Sequence, residues 1–213
     1  HIAVVTNIDT DHMATYGGDF GQLTDTFLKF LHNLPFYGLA VLCSDDAVIR
    51  DLRPQIRRPV VTYGVEPEAD YQAIDIRQHG TRMQFAVSLM DCSVIEVDLA
   101  LPGLHNVRNA LSAIAVADKV GIAPDYIVKG LRNFGGIGRR FEILGEIFFD
   151  TGRALLVDDY AHHPREIEAT LAAAQGSWPD RRKVVVFQPH RFTRTEELLD
   201  DFSALLRDVA CLV

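Results

Sequence analysis

The stretch that decides the fold is Asp158-Asp159-Tyr160-Ala161-His162-His163-Pro164. It follows the apolar run Ala154–Val157, which predicts a buried strand. Pro164 opens a helical pattern in which Ile167 and Leu171 share one face, and proline suits the first helical position because its missing N–H would have no partner there. Two carboxylates and two imidazoles are therefore predicted in a strand-to-helix turn, where open α/β sheets bind ligands.

A second turn of the same kind follows the run Lys183–Phe187, which predicts the next strand. Its sequence is Gln188-Pro189-His190-Arg191-Phe192-Thr193-Arg194-Thr195, and we predict a helix from Glu196 with Thr195 as N-cap. Because β-α-β order predicts parallel neighbouring strands, both turns should lie on one edge of a sheet. Arg191 and Arg194 would then face the same crevice as the histidines, and guanidinium groups bind carboxylate and phosphate bidentately.

Composition limits the class of protein. The chain has 213 residues, enough for one large or two small domains. A net charge of −8 argues against a nucleic-acid partner. Three cysteines without metal-ligand spacing predict reduced thiols in a cytoplasmic protein, and we find neither a run that could span a bilayer nor a signal peptide. Both ends fall in predicted strands, so we interpret the chain as an internal piece of a longer protein.

The N-terminal part has a βαβαβ pattern, with strands at Ile2–Ile8, Leu39–Leu42 and Val60–Tyr63, which predicts a parallel sheet. The first strand leads to Asp9, Asp11 and His12. These side chains could hold Mg²⁺, which prefers oxygen ligands. The alternative is that an aspartate merely caps a turn.

Between Tyr71 and Leu101, three short runs separated by turns predict an antiparallel meander. A helix to Val120 follows, and His105, Asn106 and Asn109 near its start could contact a nucleotide base. The alternative is that Asn106 caps this helix.

The segment Phe134–Glu142 contains three glycines and predicts a flexible linker that includes Arg139 and Arg140. By default these two arginines would be a solvated pair. We place the domain boundary in this segment.

Five stretches together resemble the Mur ligase family, the ATP-dependent amide-bond-forming enzymes of peptidoglycan precursor synthesis. They are Asn7–Met13, Leu104–Ala110, Gly136–Glu142, Asp158–Pro164 and Phe187–Thr195. The resemblance covers nearly the whole chain. It implies an α/β fold: part of a P-loop-type ATPase domain over residues 1–135, with a parallel sheet and a small antiparallel meander, then part of a Rossmann-like C-terminal domain over residues 136–213.

The resemblance also implies ATP, Mg²⁺ and an acyl-phosphate intermediate. His12 would bind Mg²⁺ and act in catalysis. The residues implied to contact ATP are His105, Asn106, Asn109, Arg139, Arg140 and one of Asp158 and Asp159. The residues implied to hold the incoming amino acid are His163 (with His162 as the alternative), Arg191 and Arg194. No glycine-rich loop ending in Gly-Lys-Thr or Gly-Lys-Ser occurs in the sequence, so we expect this piece by itself to lack phosphate-loop contacts and activity.

Within the family, the Asp-His-Met-x-Thr-Tyr form at residues 11–16 and the two turns most resemble the members that join L-alanine to UDP-N-acetylmuramate. Three alternatives stay open. One is a recycling ligase that joins a whole peptide to the same sugar. Another is a metal-dependent hydrolase that uses Asp158, His162, His163 and His190. The third is a nucleotide-binding module without catalysis.

Overall fold

The computed structural model describes residues 1–10, 13–207 and 209–213. The chain forms two compact units. Unit 1 contains residues 1–77, 84–99 and 105–133, and unit 2 contains residues 78–83, 100–104 and 134–213. No helix in these described ranges is both long and apolar enough to cross a bilayer.

A six-stranded sheet, with its strands in chain order, forms the basis of unit 1. The strands are β1 (Ile2–Val5), β2 (Leu39–Cys43), β3 (Val60–Gly64), β4 (Tyr71–His79), β5 (Arg82–Ser88) and β6 (Val94–Leu99). The pairs β1–β2, β2–β3 and β3–β4 are parallel. The connections after β4 and β5 have two and five residues, which is too short for parallel crossovers. The predicted parallel sheet and meander are therefore confirmed, and they are continuous with each other.

Four helices belong to this part of the chain: α1 (Phe20–His32), α2 (Ala47–Leu52), α3 (Leu104–Lys119) and α4 (Pro124–Arg132). Short 3-10 turns occur at Met13–Tyr16 and Arg53–Gln55. The core is centred on β2, whose residues Ala40–Cys43 are all buried, as expected for a continuous apolar run covered on both faces. Helix α3 contributes Val107, Leu111 and Ile114, which are fully buried.

Two expectations for unit 1 are wrong. The first strand ends at Val5 instead of Ile8. Helix α3 begins at Leu104, directly after Gly103 with φ +93°, so Asn106 lies inside its first turn and is not its N-cap. Gly103 supplies the left-handed backbone that lets the helix start three residues earlier than an Asn106 cap would place it.

The C-terminal segment of unit 2 contains a hairpin of β7 (Glu142–Phe149) and β8 (Gly152–Asp158). Its remaining elements are α5 (Pro164–Ser177), β9 (Val184–Val185), α6 (Phe192–Glu197), α7 (Leu199–Leu206) and β10 (Cys211–Leu212). The core of the unit contains Ile167, Phe202 and Leu206, with Val185 and Phe187 packed against it. Strand β7 is an element that the sequence pattern did not predict.

Strand β8 differs from the prediction in two ways. Ala154 and Leu156 are exposed, so the strand is not buried. It pairs antiparallel with β7, whereas β9 pairs in parallel with β10. Within the described part of the chain, the ladder expected between β8 and β9 is therefore not formed.

The helix after β9 also starts earlier than predicted. Arg191 has φ +66°, and α6 begins at the next residue, Phe192, instead of at Glu196. Thr195 lies inside α6, where its N–H and its hydroxyl both donate to the carbonyl oxygen of Arg191 at 3.1 Å. Thr195 is therefore not an N-cap, because its hydroxyl bonds back to the preceding turn.

Candidate functional site

The first candidate residues follow β1. Asp9 accepts hydrogen bonds from the N–H of Thr10 at 2.8 Å and from its hydroxyl at 3.4 Å, so its carboxylate has a local partner in the segment after β1. Asp11 and His12 lie outside the described residues. Within residues 1–10, 13–207 and 209–213, no group of three or more His, Cys, Asp and Glu side chains could hold a metal ion. Mg²⁺ binding by His12 therefore stays a prediction.

Asp45 anchors the helix that carries the candidate base-contacting residues. Its carboxylate accepts the N–H groups of Val65 and Glu66, each at 3.0 Å, and the Nε–H of Arg108 at 2.6 Å. The Asp45 side chain is only 6% exposed. One buried carboxylate thus joins the ends of β2 and β3 to the start of α3.

The candidate residues of α3 occupy its first two turns. His105 and Asn106 are partly exposed, and Asn109 is exposed. All three therefore reach the surface of unit 1, where a ligand could contact them. A role in binding the base stays a prediction for each.

From Arg139 onward, the predicted linker is held by hydrogen bonds. The carbonyl oxygen of Arg139 accepts the N–H of Tyr160 at 2.7 Å, and the N–H of Phe141 donates to Asp159 Oδ2 at 2.8 Å. The Arg139 N–H donates to Glu142 Oε2 at 2.7 Å. Residues from Arg139 onward are therefore an integral part of unit 2, bonded to the β8–α5 turn.

Aromatic packing reinforces this attachment. Phe141 is 6% exposed, and its ring is stacked on Trp178 with centroids 5.8 Å apart and planes 9° apart. Both Arg139 and Phe141 have positive φ, +59° and +49°, which is unusual for residues with a side chain. The surrounding bonds hold this backbone in place.

The two neighbouring carboxylates of the turn have different surroundings. Asp159 uses Oδ2 for the N–H of Phe141 and Oδ1 for the N–H of Ala161, both at 2.8 Å. Asp158 contacts the Nε of Arg139 at 3.1 Å, and its side chain is 37% exposed. Asp159 therefore supports the backbone, and Asp158 is the better placed of the two to contact a ligand.

Both predicted linker arginines lie against the ring of Tyr160. The Cζ of Arg139 is 4.9 Å from the ring centroid, and that of Arg140 is 5.9 Å away. These are cation–π distances. Tyr160 was not among the predicted site residues, although an aromatic residue inside a charged turn was a signal for a role.

Glu166 connects the linker to the start of α5. Its Oε2 accepts the N–H groups of His162 at 2.9 Å and His163 at 3.2 Å, and its Oε1 lies 3.4 Å from Arg140 Nη1. Burial by itself would raise the pKa of Glu166. The backbone N–H groups, the imidazole of His162 and the guanidinium of Arg140 outweigh burial and lower that pKa.

The two histidines of the turn also differ. His163 is the N-cap of α5, and its Nδ1 accepts the N–H of Arg165 at 3.4 Å. The ring of His162 lies 5.1 Å from the ring of Tyr160 and 6.2 Å from that of His190. The two predicted turns therefore do meet. His162 is a residue of the first turn whose ring lies near His190, and the role of His163 in holding the amino acid stays a prediction.

The second turn places its two arginines differently. Arg191 is exposed and follows His190 directly, whereas Arg194 is 6% exposed inside unit 2. Arg191 is consequently the more accessible of the two arginines of this turn.

Comparison with known proteins identifies the family. Residues 1–117, more than half of the chain, match the Mur ligase middle domain. The chain belongs to the Mur ligase family. Residues 139–213 match a second model, Mur ligase, glutamate ligase domain. Mur ligases are ATP-dependent ligases of peptidoglycan precursor synthesis, so the resemblance seen in the sequence is confirmed at the level of the family.

Several solved Mur ligase structures are similar to this chain. UDP-N-acetylmuramate-alanine ligase MurC from Thermotoga maritima is 26% identical over 100% of this chain and 50% of its own, with a TM-score of 0.75. Murein peptide ligase Mpl from Psychrobacter arcticus is 29% identical over 89% of this chain and 38% of its own, with a TM-score of 0.63. MurF from Thermotoga maritima in complex with ADP is 19% identical over 99% of this chain and 47% of its own, with a TM-score of 0.78, and shares the fold. The chain thus spans half or less of the length of these proteins.

Proposed function

We propose that this chain supplies the middle and C-terminal portions of a cytoplasmic ATP-dependent ligase that joins L-alanine to UDP-N-acetylmuramate. Residues 1–135 belong to the central ATP-binding domain, and residues 136–213 to the amino-acid-binding C-terminal domain. The proposal is supported by the 26% identity to MurC over the whole chain. It is also supported by the Asp-His-Met-x-Thr-Tyr sequence at residues 11–16.

The observation that carries the proposal is the meeting of His162 and His190, whose ring centroids are 6.2 Å apart, in a turn where exposed Arg191 is the next residue along the chain. An amino acid brings a carboxylate, which guanidinium binds bidentately, and an amine that must lose a proton before it attacks a carbonyl. His162 Nδ1 lies 2.8 Å from the carbonyl oxygen of Tyr160. Because a carbonyl can only accept, Nδ1 carries the proton in the neutral ring, and Nε2 is the acceptor for the amine.

The nucleotide side of the proposal uses the linker and the turn. ATP, when bound, supplies the phosphoryl group that activates the sugar carboxylate as an acyl phosphate. The partly exposed guanidinium groups of Arg139 and Arg140 suit its phosphates, since preorganised cations stabilise the negative charge that develops. Asp158 accepts from the ribose hydroxyls. In unit 1, His105, Asn106 and Asn109 would contact the base, and His12 would hold Mg²⁺.

The test is steady-state kinetics of the full-length ligase with arginine variants of the second turn. Arg191→Ala should raise the KM for L-alanine about tenfold, because it removes a charge-assisted hydrogen bond. The KM for ATP should change less than about twofold. Arg194→Ala should show the same selectivity, although its burial adds a loss of stability. Arg182→Ala, at an exposed position of the same unit, serves as the control. Equal changes in both KM values would remove the amino-acid role of these arginines.

A second candidate within the family is a murein peptide recycling ligase, which is favoured by the 29% identity to Mpl. The two are separated by comparing kcat/KM for L-alanine with that for a peptide that begins with L-alanine. A preference for the peptide would replace the first proposal with the second. Neither matched family model supports the metal-dependent hydrolase considered from the histidines.

A further inference from the structure

One exposed aromatic ring contacts three residues that the proposed function assigns to ligands. Tyr160 lies under the guanidinium groups of Arg139 and Arg140, at 4.9 and 5.9 Å from its centroid. The imidazole of His162 meets the same ring edge-on, with centroids 5.1 Å apart and planes 68° apart. The Tyr160 side chain is 44% exposed, so the cluster is open to solvent and to a ligand.

The backbone that carries this ring is fixed on both sides. The N–H of Tyr160 donates to the carbonyl oxygen of Arg139 at 2.7 Å. The preceding residue, Asp159, binds the N–H groups of Phe141 and Ala161. The ring therefore extends from a rigid part of unit 2 and can act as a platform for more mobile side chains.

The two arginines need such a platform. Each has one ion pair in the described part of the chain: Arg139 with Asp158 at 3.1 Å and Arg140 with Glu166 at 3.4 Å. The arginine side chains are 60% and 47% exposed, and ion pairs at such positions restrain a long side chain only weakly. Stacking on an aromatic face adds a second restraint that suits the planar guanidinium group.

We propose that Tyr160 is a positioning residue, whose ring orients the guanidinium groups of Arg139 and Arg140 and the imidazole of His162 toward bound ligand. The role belongs to the ring and not to the hydroxyl. The nature of the ligand rests on the proposed function, whereas the orientation of the side chains does not. The two parts can therefore be tested separately.

The orientation is tested on the 213-residue chain by NMR of the arginine side-chain Nε–Hε groups. In the native chain, the signals of Arg139 and Arg140 should be shifted upfield by the ring current of Tyr160. Tyr160→Phe should keep these shifts and Tyr160→Leu should abolish them. Tyr126→Leu, which removes a tyrosine that is 71% exposed on α4, is the control. Native shifts at random-coil positions, or shifts that survive in Tyr160→Leu, would overturn the proposal.

The consequence for ligands is tested by kinetics of the full-length ligase. An exposed cation–π contact accounts for roughly two- to fivefold in an equilibrium constant. Tyr160→Leu removes two such contacts and should therefore raise the KM for ATP by roughly four- to 25-fold. Tyr160→Phe should restore the KM to within about twofold of the native value, because it keeps the ring. An equal loss in both variants would show that the hydroxyl is what matters and would overturn the proposal. If the enzyme does not use L-alanine but the NMR results hold, the proposed function fails and the positioning role stands.

Discussion

Replacing Asp159 by alanine tests whether hydrogen bonds to its carboxylate hold the residues from Arg139 onward in unit 2. The carboxylate of Asp159 accepts two backbone N–H groups, those of Phe141 and Ala161, each at 2.8 Å. Phe141 is in turn stacked on Trp178. Alanine would leave both N–H groups without their acceptor and release the backbone that holds Phe141 in its left-handed conformation.

The size of the effect follows from these two bonds. A hydrogen bond to a charged group contributes about 1.5–3 kcal/mol. Because the bonds are only partly buried, the lower end applies, and Asp159→Ala should lower the free energy of unfolding of unit 2 by about 3 kcal/mol. For a unit of this size that corresponds to a fall in Tm of roughly 10–20 °C. Asp159→Asn should cost less, because its single amide oxygen keeps one of the two bonds.

The assay is urea unfolding of the 213-residue chain followed by fluorescence. Trp178 is the only tryptophan in the sequence, so its emission reports directly on unit 2. Asp158→Ala is the matched control. It removes a neighbouring carboxylate whose ion pair with Arg139 is largely exposed, and it should cost less than about 1 kcal/mol. Equal losses for the two alanine variants would refute the reasoning, because they would mean that the bonds of Asp159 do not hold the segment.

Two further carboxylates give predictions of the same kind. Glu166→Gln keeps an acceptor for the N–H groups at the start of α5 but removes the charge. Because the folded-state pKa of Glu166 is lowered from its ordinary value of 4.5, its contribution to stability is present above that pH and is lost as the pH falls through the folded pKa. Between about pH 6 and pH 3, the free energy of unfolding of Glu166→Gln, measured by urea titrations, should therefore fall less steeply than that of the native chain. The same pH dependence in both proteins would contradict this. Asp45→Ala should lower the stability of unit 1 by about 2–4 kcal/mol, since it leaves Arg108 and two N–H groups without a buried acceptor, whereas exposed Asp51→Ala should change it by less than about 0.5 kcal/mol in thermal unfolding. A loss for Asp45→Ala no larger than that of the control would contradict the anchoring role.

The sheet of unit 1 was predictable because its strands have strong local signals. Residues Ala40–Cys43 form a continuous apolar run, and burial on both faces is what such a run requires. The two-residue connection between β4 and β5 requires a hairpin. Neither conclusion depends on distant contacts. Helix boundaries were less predictable, because a single glycine can shift them, as the early start of α3 after Gly103 shows.

Strand β7 escaped prediction for a physical reason. Its register with β8 shifts between Ile143 and Gly145. The alternation of side chains between the two faces, which marks a strand, is therefore interrupted near the start of β7. Its residues are also mostly exposed, including Phe148 at 75%. The alternation of apolar and polar residues that predicts a strand with one buried face is therefore not consistent in β7. With β7 unrecognised, the residues just before it were assigned to a flexible linker.

The roles of adjacent identical residues could not be predicted, because they depend on backbone direction and not on chemistry. Asp158 and Asp159 have the same side chain, yet only Asp159 reaches the N–H groups of Phe141 and Ala161. His162 and His163 differ in the same way: the residue directly before Pro164 becomes the N-cap of α5, which turns its Nδ1 back toward the helix. The residue one position earlier is then the one that meets His190. Since a helix N-cap has a defined backbone geometry, the position of Pro164 at the start of α5 makes His163 the cap and leaves His162 one residue before it. A helix that started one residue earlier would make His162 the N-cap instead.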